Sequence, residues 1–190
     1  MSVATSHKSM PASSPLKKIS WEDFERKYLN NEDRYKYEWV DGVVVKTLRA
    51  LNQSQQSIFL NLVQLLKTLQ SSNPSLGELL SEVETWFGSA YRRPDIAYFS
   101  KDQIQFFGKT NQEPQFIIEV ISNSDQMHRA NEKLIDYRTS NIPVVWHIFP
   151  KLKQVHVYRG KQMTICTDDD ICSAEPVIPG FLIPASGVFK

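Results

Sequence analysis

The chain has little cysteine, little net charge and no long apolar run, and each shortage excludes a class of protein. Its cysteines, Cys166 and Cys172, are the only two and stand close together near the end. They match neither a zinc-ligand spacing nor a CxxC redox motif, and two thiols make a poor disulfide framework. They read as free thiols in a reducing compartment. No apolar run approaches the roughly 18 residues that a membrane span needs. The opening MSVATSHKSMPASSP lacks an apolar core segment and so does not read as a secretion signal. Together these absences predict a cytoplasmic protein with no membrane partner. Lysine plus arginine (22) nearly cancels aspartate plus glutamate (21), which leaves no global attraction to nucleic acid. Any DNA contact has to come from a local patch. His128, His147 and His156 show no metal-ligand spacing, and no internal repeat is visible.

What is present fits one globular domain. At 190 residues, with 41% apolar and 11% aromatic side chains, the chain can bury a sizeable core. Residues 1–15 are rich in Ser, Ala and Pro, which predicts a disordered tail over 1–18 and a single domain over 19–190. Ser20 ahead of Asp23 predicts a capped short helix to Leu29. Tyr35–Val40, Asp41-Gly42 and Val43–Leu48 predict a hairpin, because Asp-Gly suits the positive-φ positions of a tight turn. Ile58, Leu62, Leu65, Leu66 and Leu69 recur at helical spacing over Ser54–Ser72. Strands are expected at Leu79–Phe87, Asp95–Phe99, Gln115–Ile121 and Val144–Phe149, with a helix over Gln126–Ser140. A hairpin of Gln154–Tyr158 and Gln162–Thr167 follows, then an irregular, proline-punctuated end that wraps the core. Mixed strands with two long helices imply an α/β (α+β) fold, with a mixed sheet flanked by helices.

Glu119 is the informative residue. Alternation in FIIEVI sends Phe116, Ile118 and Val120 to one face and Ile117, Glu119 and Ile121 to the other. A carboxylate beside two isoleucines needs a metal ion, a basic partner or an open strand end. The structural alternative is a buried ion pair with Arg129 or Lys133. Asp95 opens a strand 24 residues earlier, so two neighbouring strands can bring both acids to one sheet edge. Hard cations such as magnesium prefer such oxygen ligands, completed by water and phosphate. Arg129, Lys133 and Tyr137 share one helix flank, from which a lysine ammonium can offset charge at the acid pair. Arg92 and Arg93 directly precede Asp95 and are candidates, with Arg129, for contacts to flanking phosphates.

The run RRPDIAYFS, then PQFIIEVISNSD, then EKLIDYRTSNIPVVWHIFP, then VHVYR, resembles the Uma-type putative endonucleases. These are a bacterial branch of the PD-(D/E)XK, or restriction-endonuclease-like, superfamily. YKYEWVDGVVV and the closing PGFLIP also have counterparts there, so the resemblance spans roughly Ile19 to Phe189. By that resemblance, Asp95 and Glu119 match the metal-binding carboxylates. The lysine that usually follows the second acid by two residues is replaced by Ile121, and its function is expected at Lys133. Glu38 matches an N-terminal glutamate that adds a third carboxylate. Two positions depart from the family pattern. Gln55 stands where many relatives carry histidine, and Arg129 where many carry aspartate.

The resemblance implies DNA phosphodiester hydrolysis with Mg2+, for which Mn2+ can substitute, and a homodimer as one arrangement for cutting both strands. The alternative is a non-catalytic nucleic-acid-binding or assembly module on the same fold, motivated by Gln55 and Arg129.

Overall fold

The computed structural model describes residues 17–31, 33–48 and 53–190. Most of the expected tail, residues 1–16, lies outside the described residues. The first helix, α1 (Trp21–Phe24), is capped as its sequence predicts, with the Asp23 N–H donating to Ser20 Oγ at 3.2 Å, and it widens into a π turn over Glu25–Leu29. Strands β1 (Tyr35–Val40) and β2 (Val43–Leu48) form the expected hairpin. Its turn residues Asp41 and Gly42 sit at φ +48° and +89°, the left-handed region that a two-residue connection requires.

The long helix α2 (Gln53–Ser72) leads into β3 (Glu78–Ser81), β4 (Thr85–Phe87), β5 (Ala90–Arg92) and β6 (Ile96–Phe99). A short α3 (Lys101–Ile104) precedes β7 (Phe116–Val120), α4 (Ser124–Thr139) and β8 (Val144–Phe149). The remainder is β9 (Gln154–Arg159), β10 (Gln162–Thr167), β11 (Ile171–Ser173), β12 (Leu182–Pro184) and α5 (Ala185–Val188).

Two sheets organise the molecule. One is four-stranded in the order β2-β1-β5-β4, and the other six-stranded in the order β10-β9-β8-β7-β6-β3. In the larger sheet β7 and β8 are parallel and α4 makes the crossover between them, the connection that parallel neighbours need. Both strands are buried along their whole length because each face of the sheet is covered. On one face, Ile58, Leu62 and Leu66 of α2 pack with Phe116, Ile118 and Trp146, and Phe181 of the C-terminal segment closes that core. Burying each such aliphatic side chain contributes about 1.5–3 kcal/mol. On the other face, Leu134 and Tyr137 of α4 pack on Ile117 and Val145. The smaller sheet carries its own aromatic cluster of Phe24, Tyr37 and Tyr91, with Trp21, Trp39 and Trp86 packed against it.

Three expectations need correction. The single strand expected over Leu79–Phe87 is broken at Glu82, whose φ is +52°. β3 pairs with β6 in one sheet and β4 with β5 in the other, so no straight strand can serve both. β5, only three residues long, is too short to show a period and was not foreseen. The C-terminal segment, expected to be irregular, contains the β11–β12 pair and α5.

His147 is fully buried on β8, in register with Glu119 on β7 and His156 on β9. Its ring lies edge-on to Tyr158, and neither ring nitrogen has a hydrogen-bond partner among the described residues. Burial, then the positive fields of His156, Arg138 and Lys133, push its pKa from 6.5 down to about 4.

Two outcomes follow from the packing. A Cβ placed on Gly77 would meet the Phe99 carbonyl oxygen at 1.8 Å, so backbone rather than a flexible side chain would have to move. Gly77→Ala should therefore cost about 3 kcal/mol in urea unfolding. For His147 the folded pKa lies below the unfolded one, so the unfolded chain takes up the proton first as pH falls. Its contribution to stability is intact above about 6.5 and declines towards about 4, by about 1.4 kcal/mol per pH unit. His147→Leu should flatten the stability-pH curve in that window, as read by denaturant titration at several pH values.

Candidate active site

The sequence positions Asp95 and Glu119 through strand register. β6 and β7 are antiparallel with Ile96 opposite Ile118 and Ala97 opposite Ile117. Extending the pairing by one residue sets Asp95 opposite Glu119, on the Ala97 and Ile117 side of the sheet rather than on the α2 side. Both acids line a solvent-open cleft of about 120 Å³, together with Lys36, Arg129 and Gln55. Phe59 and Ile121 belong to its apolar wall.

Each carboxylate is held differently. Asp95 Oδ2 accepts from the Val120 N–H at 2.9 Å, and Oδ1 accepts from Lys36 Nζ at 2.7 Å. Glu119 Oε1 accepts from the Tyr137 hydroxyl at 2.6 Å and from Lys133 Nζ at 3.1 Å. Lys133 also donates to the Arg93 carbonyl at 3.1 Å and lies 2.9 Å from Glu38 Oε1. Glu38 in turn accepts from the Arg93 N–H at 2.8 Å and from Arg92 at 3.3 Å. Lys133 therefore joins three elements: α4, which carries it, β7 through Glu119, and β1 through Glu38.

The fields in this cluster divide the two cleft acids. Burial works against ionising Asp95, but Lys36 and Lys133, with the hydrogen bonds from Lys36 and Val120, hold its pKa below the usual range. Glu119 ends on the other side of its ordinary value. Burial raises its pKa and the negative field of Asp95 adds to that, while Lys133, Lys36 and the Tyr137 hydroxyl only partly offset the rise. Glu38, though wholly buried, is held low by Lys133, Arg92 and Lys36. Tyr137 is pushed far up by burial and by its contact with Glu119, so it stays a hydrogen-bond donor.

Several sequence expectations meet this geometry. Asp95, Glu119 and Lys133 are brought together. Glu38 joins them, but its oxygens are taken up by Lys133, Arg92 and the Arg93 N–H, so it positions the lysine rather than facing the cleft as a third ligand. Arg92 and Arg93 do not line the cleft. Both are buried: Arg92 is paired with Glu38 and with Asp136 at 2.7 Å, and Arg93 is paired with Glu84. Arg129 is the one of the three that lines the cleft, where its guanidinium donates to the Asp125 carbonyl at 3.2 Å. Lys36 was missed. The signal lay in the alternation of YKYEWV, which puts Lys36 on the same strand face as Glu38.

The two cleft acids are oxygen donors of the kind a hard divalent ion takes. Two carboxylates face one cleft, and among the described residues no group of three or more His, Cys, Asp or Glu is arranged around a metal position. An ion there would take Asp95 and Glu119 as protein ligands and fill its shell with water and phosphate oxygen, as magnesium commonly does. Among the described residues no helix is long and apolar enough to cross a membrane.

Comparison with known proteins bears on the fold and the family. A solved structure from Anabaena variabilis, described as a putative nuclease belonging to DUF820, superposes with a TM-score of 0.73 at 17% identity, covering 90% of this chain and 97% of that one. At that identity the likeness concerns the fold. No curated protein matches the chain. The model of the Uma2 family, whose description reads "Putative restriction endonuclease", matches residues 21–186. With all but the two ends of the sequence matched, the chain belongs to the Uma2 family and has its restriction-endonuclease-like fold.

Proposed function

We propose that this chain hydrolyses phosphodiester bonds in DNA at Asp95 and Glu119, with Mg2+ as cofactor and Mn2+ able to substitute. The observation that carries this reading is the pairing of these two acids at one cleft, with Lys133 and Tyr137 hydrogen-bonded to the second. A bound divalent ion would polarise the scissile phosphate and lower the pKa of an attacking water. The chain's own groups do the rest. The Val120 N–H fixes Asp95, the Tyr137 hydroxyl and Lys133 fix Glu119, and Glu38 and the Arg93 carbonyl fix Lys133. Lys133 thereby brings a positive charge to the acid pair that can offset charge developing on phosphate. Arg129, on the cleft wall, is the residue we assign to the substrate backbone. One site per chain cuts one strand, so cleavage of both strands would call for two copies, a homodimer.

A second reading keeps the fold and the binding but not the cleavage. It is favoured by Gln55 and Arg129, the two departures from the family pattern, since both line the cleft. Binding of DNA in a gel-shift assay, with no cleavage across a panel of DNA forms in magnesium, would select it.

Asp95→Asn and Glu119→Gln should each lower metal-dependent cleavage by about a hundredfold or more while circular dichroism stays native. Equal cleavage by wild type and both variants would assign the activity to a contaminant. Lys133→Met should abolish cleavage and also destabilise the protein by about 3–5 kcal/mol in denaturant unfolding, because it leaves Glu119 and Glu38 buried without their shared cation.

A further inference from the structure

Lys36 occupies the position that matters most for loading this site. It is 8% exposed, sits on β1 and lines the cleft. Among the described residues its one hydrogen-bond acceptor is Asp95 Oδ1, at 2.7 Å. The other oxygen of Asp95 is already fixed by the Val120 N–H, so Oδ1 is the oxygen left for a ligand, and Lys36 is on it.

Charge makes the same point. The buried acids Glu38 and Glu119 and the half-buried Asp95 are already faced by the buried cations Lys36, Lys133 and Arg92. A divalent ion added to this cluster would bring two more positive charges into a low-dielectric region, which is favourable only if a resident cation withdraws. Lys133 is held by Glu119, Glu38 and the Arg93 carbonyl, and Arg92 is held by Glu38 and Asp136. Each is tied to more than one group, although Lys133, like Lys36, also lines the cleft. Lys36 has a single tie and an open cleft beside it.

We propose that Lys36 is a displaceable counter-ion, which holds Asp95 Oδ1 until a divalent cation takes that oxygen and the ammonium turns out into the cleft. This rests on the reading of Asp95 and Glu119 as the cation site. It makes Lys36 a positioning residue, one that keeps the acid pair in place and charged in the unloaded protein. It also means that the affinity for the ion is set partly by the strength of the Lys36–Asp95 contact.

The test uses the full chain and the metal alone, without DNA. Reductive methylation followed by mass spectrometry reads the exposure of the Lys36 amine in EDTA and in Mg2+. Calorimetry with Mn2+ compares wild type, Lys36→Met, Lys36→Gln and Asp95→Asn. Displacement requires that Lys36 be protected in EDTA and labelled in Mg2+, and that Lys36→Met bind Mn2+ tighter by about tenfold or more. Should Lys36→Met fail to fold, Lys36→Gln, which can still donate to Oδ1, together with the wild-type labelling decides the matter. Lys36 staying protected while calorimetry shows the ion bound overturns the proposal, and so does Mn2+ affinity no tighter in the folded variants. Absence of any binding heat in wild type is a different failure, because it removes the cation site itself and this inference with it.

Discussion

Carboxylates withdrawn from water must find cations or become neutral, and that requirement shapes the centre of this protein. Glu38, Asp95 and Glu119 come from separate strands and strand ends, yet each reaches a lysine or arginine that is itself buried. Lys133 has to come from α4, so the crossover helix must lie against β7 with one particular flank inward. Arg92 has to turn inward from β5 to reach Glu38 on β1, both in the smaller sheet, and Lys133 ties Glu38 to Glu119 of the larger one. The same contacts that neutralise the acids therefore join the two sheets, and the site is not a decoration on a finished fold. Removing one member leaves another charge buried and alone, which costs far more than an exposed pair would.

Within that network the two cleft acids are not equivalent. Asp95 has a lysine to itself and a backbone N–H, and it stays readily ionised. Glu119 shares its lysine with Glu38, feels Asp95 beside it, and holds its charge less easily. An acid whose charge is incompletely compensated is the one on which an added cation has the largest effect. Tyr137, kept protonated by its surroundings, orients Glu119 without adding charge.

Much of this was legible in the sequence because it is written in local periods. The FIIEVI alternation placed Glu119 opposite the α2 side, and i, i+4 spacing placed Lys133 and Tyr137 on the flank that meets it. The β1–β2 hairpin followed from Asp41-Gly42. What the sequence concealed depends on contacts between distant segments. Arg92 and Arg93 read as surface charges because nothing near them shows that Glu38, Asp136 and Glu84 will surround them. Lys36 went unnoticed because nothing local to β1 shows that Asp95 will lie beside it. The break at Glu82 arises from a change of sheet, and sheet membership leaves no mark on a stretch of nine residues that is strand-like from end to end.

We propose above that the cleft between Asp95 and Glu119 binds a divalent cation. A crystal soaked in Mn2+ and measured at an anomalous wavelength tests it most directly. A cation site there gives one anomalous peak within coordinating distance of an oxygen from each acid. Two acids pointing apart, or a difference map with no peak between them at saturating Mn2+, would contradict it.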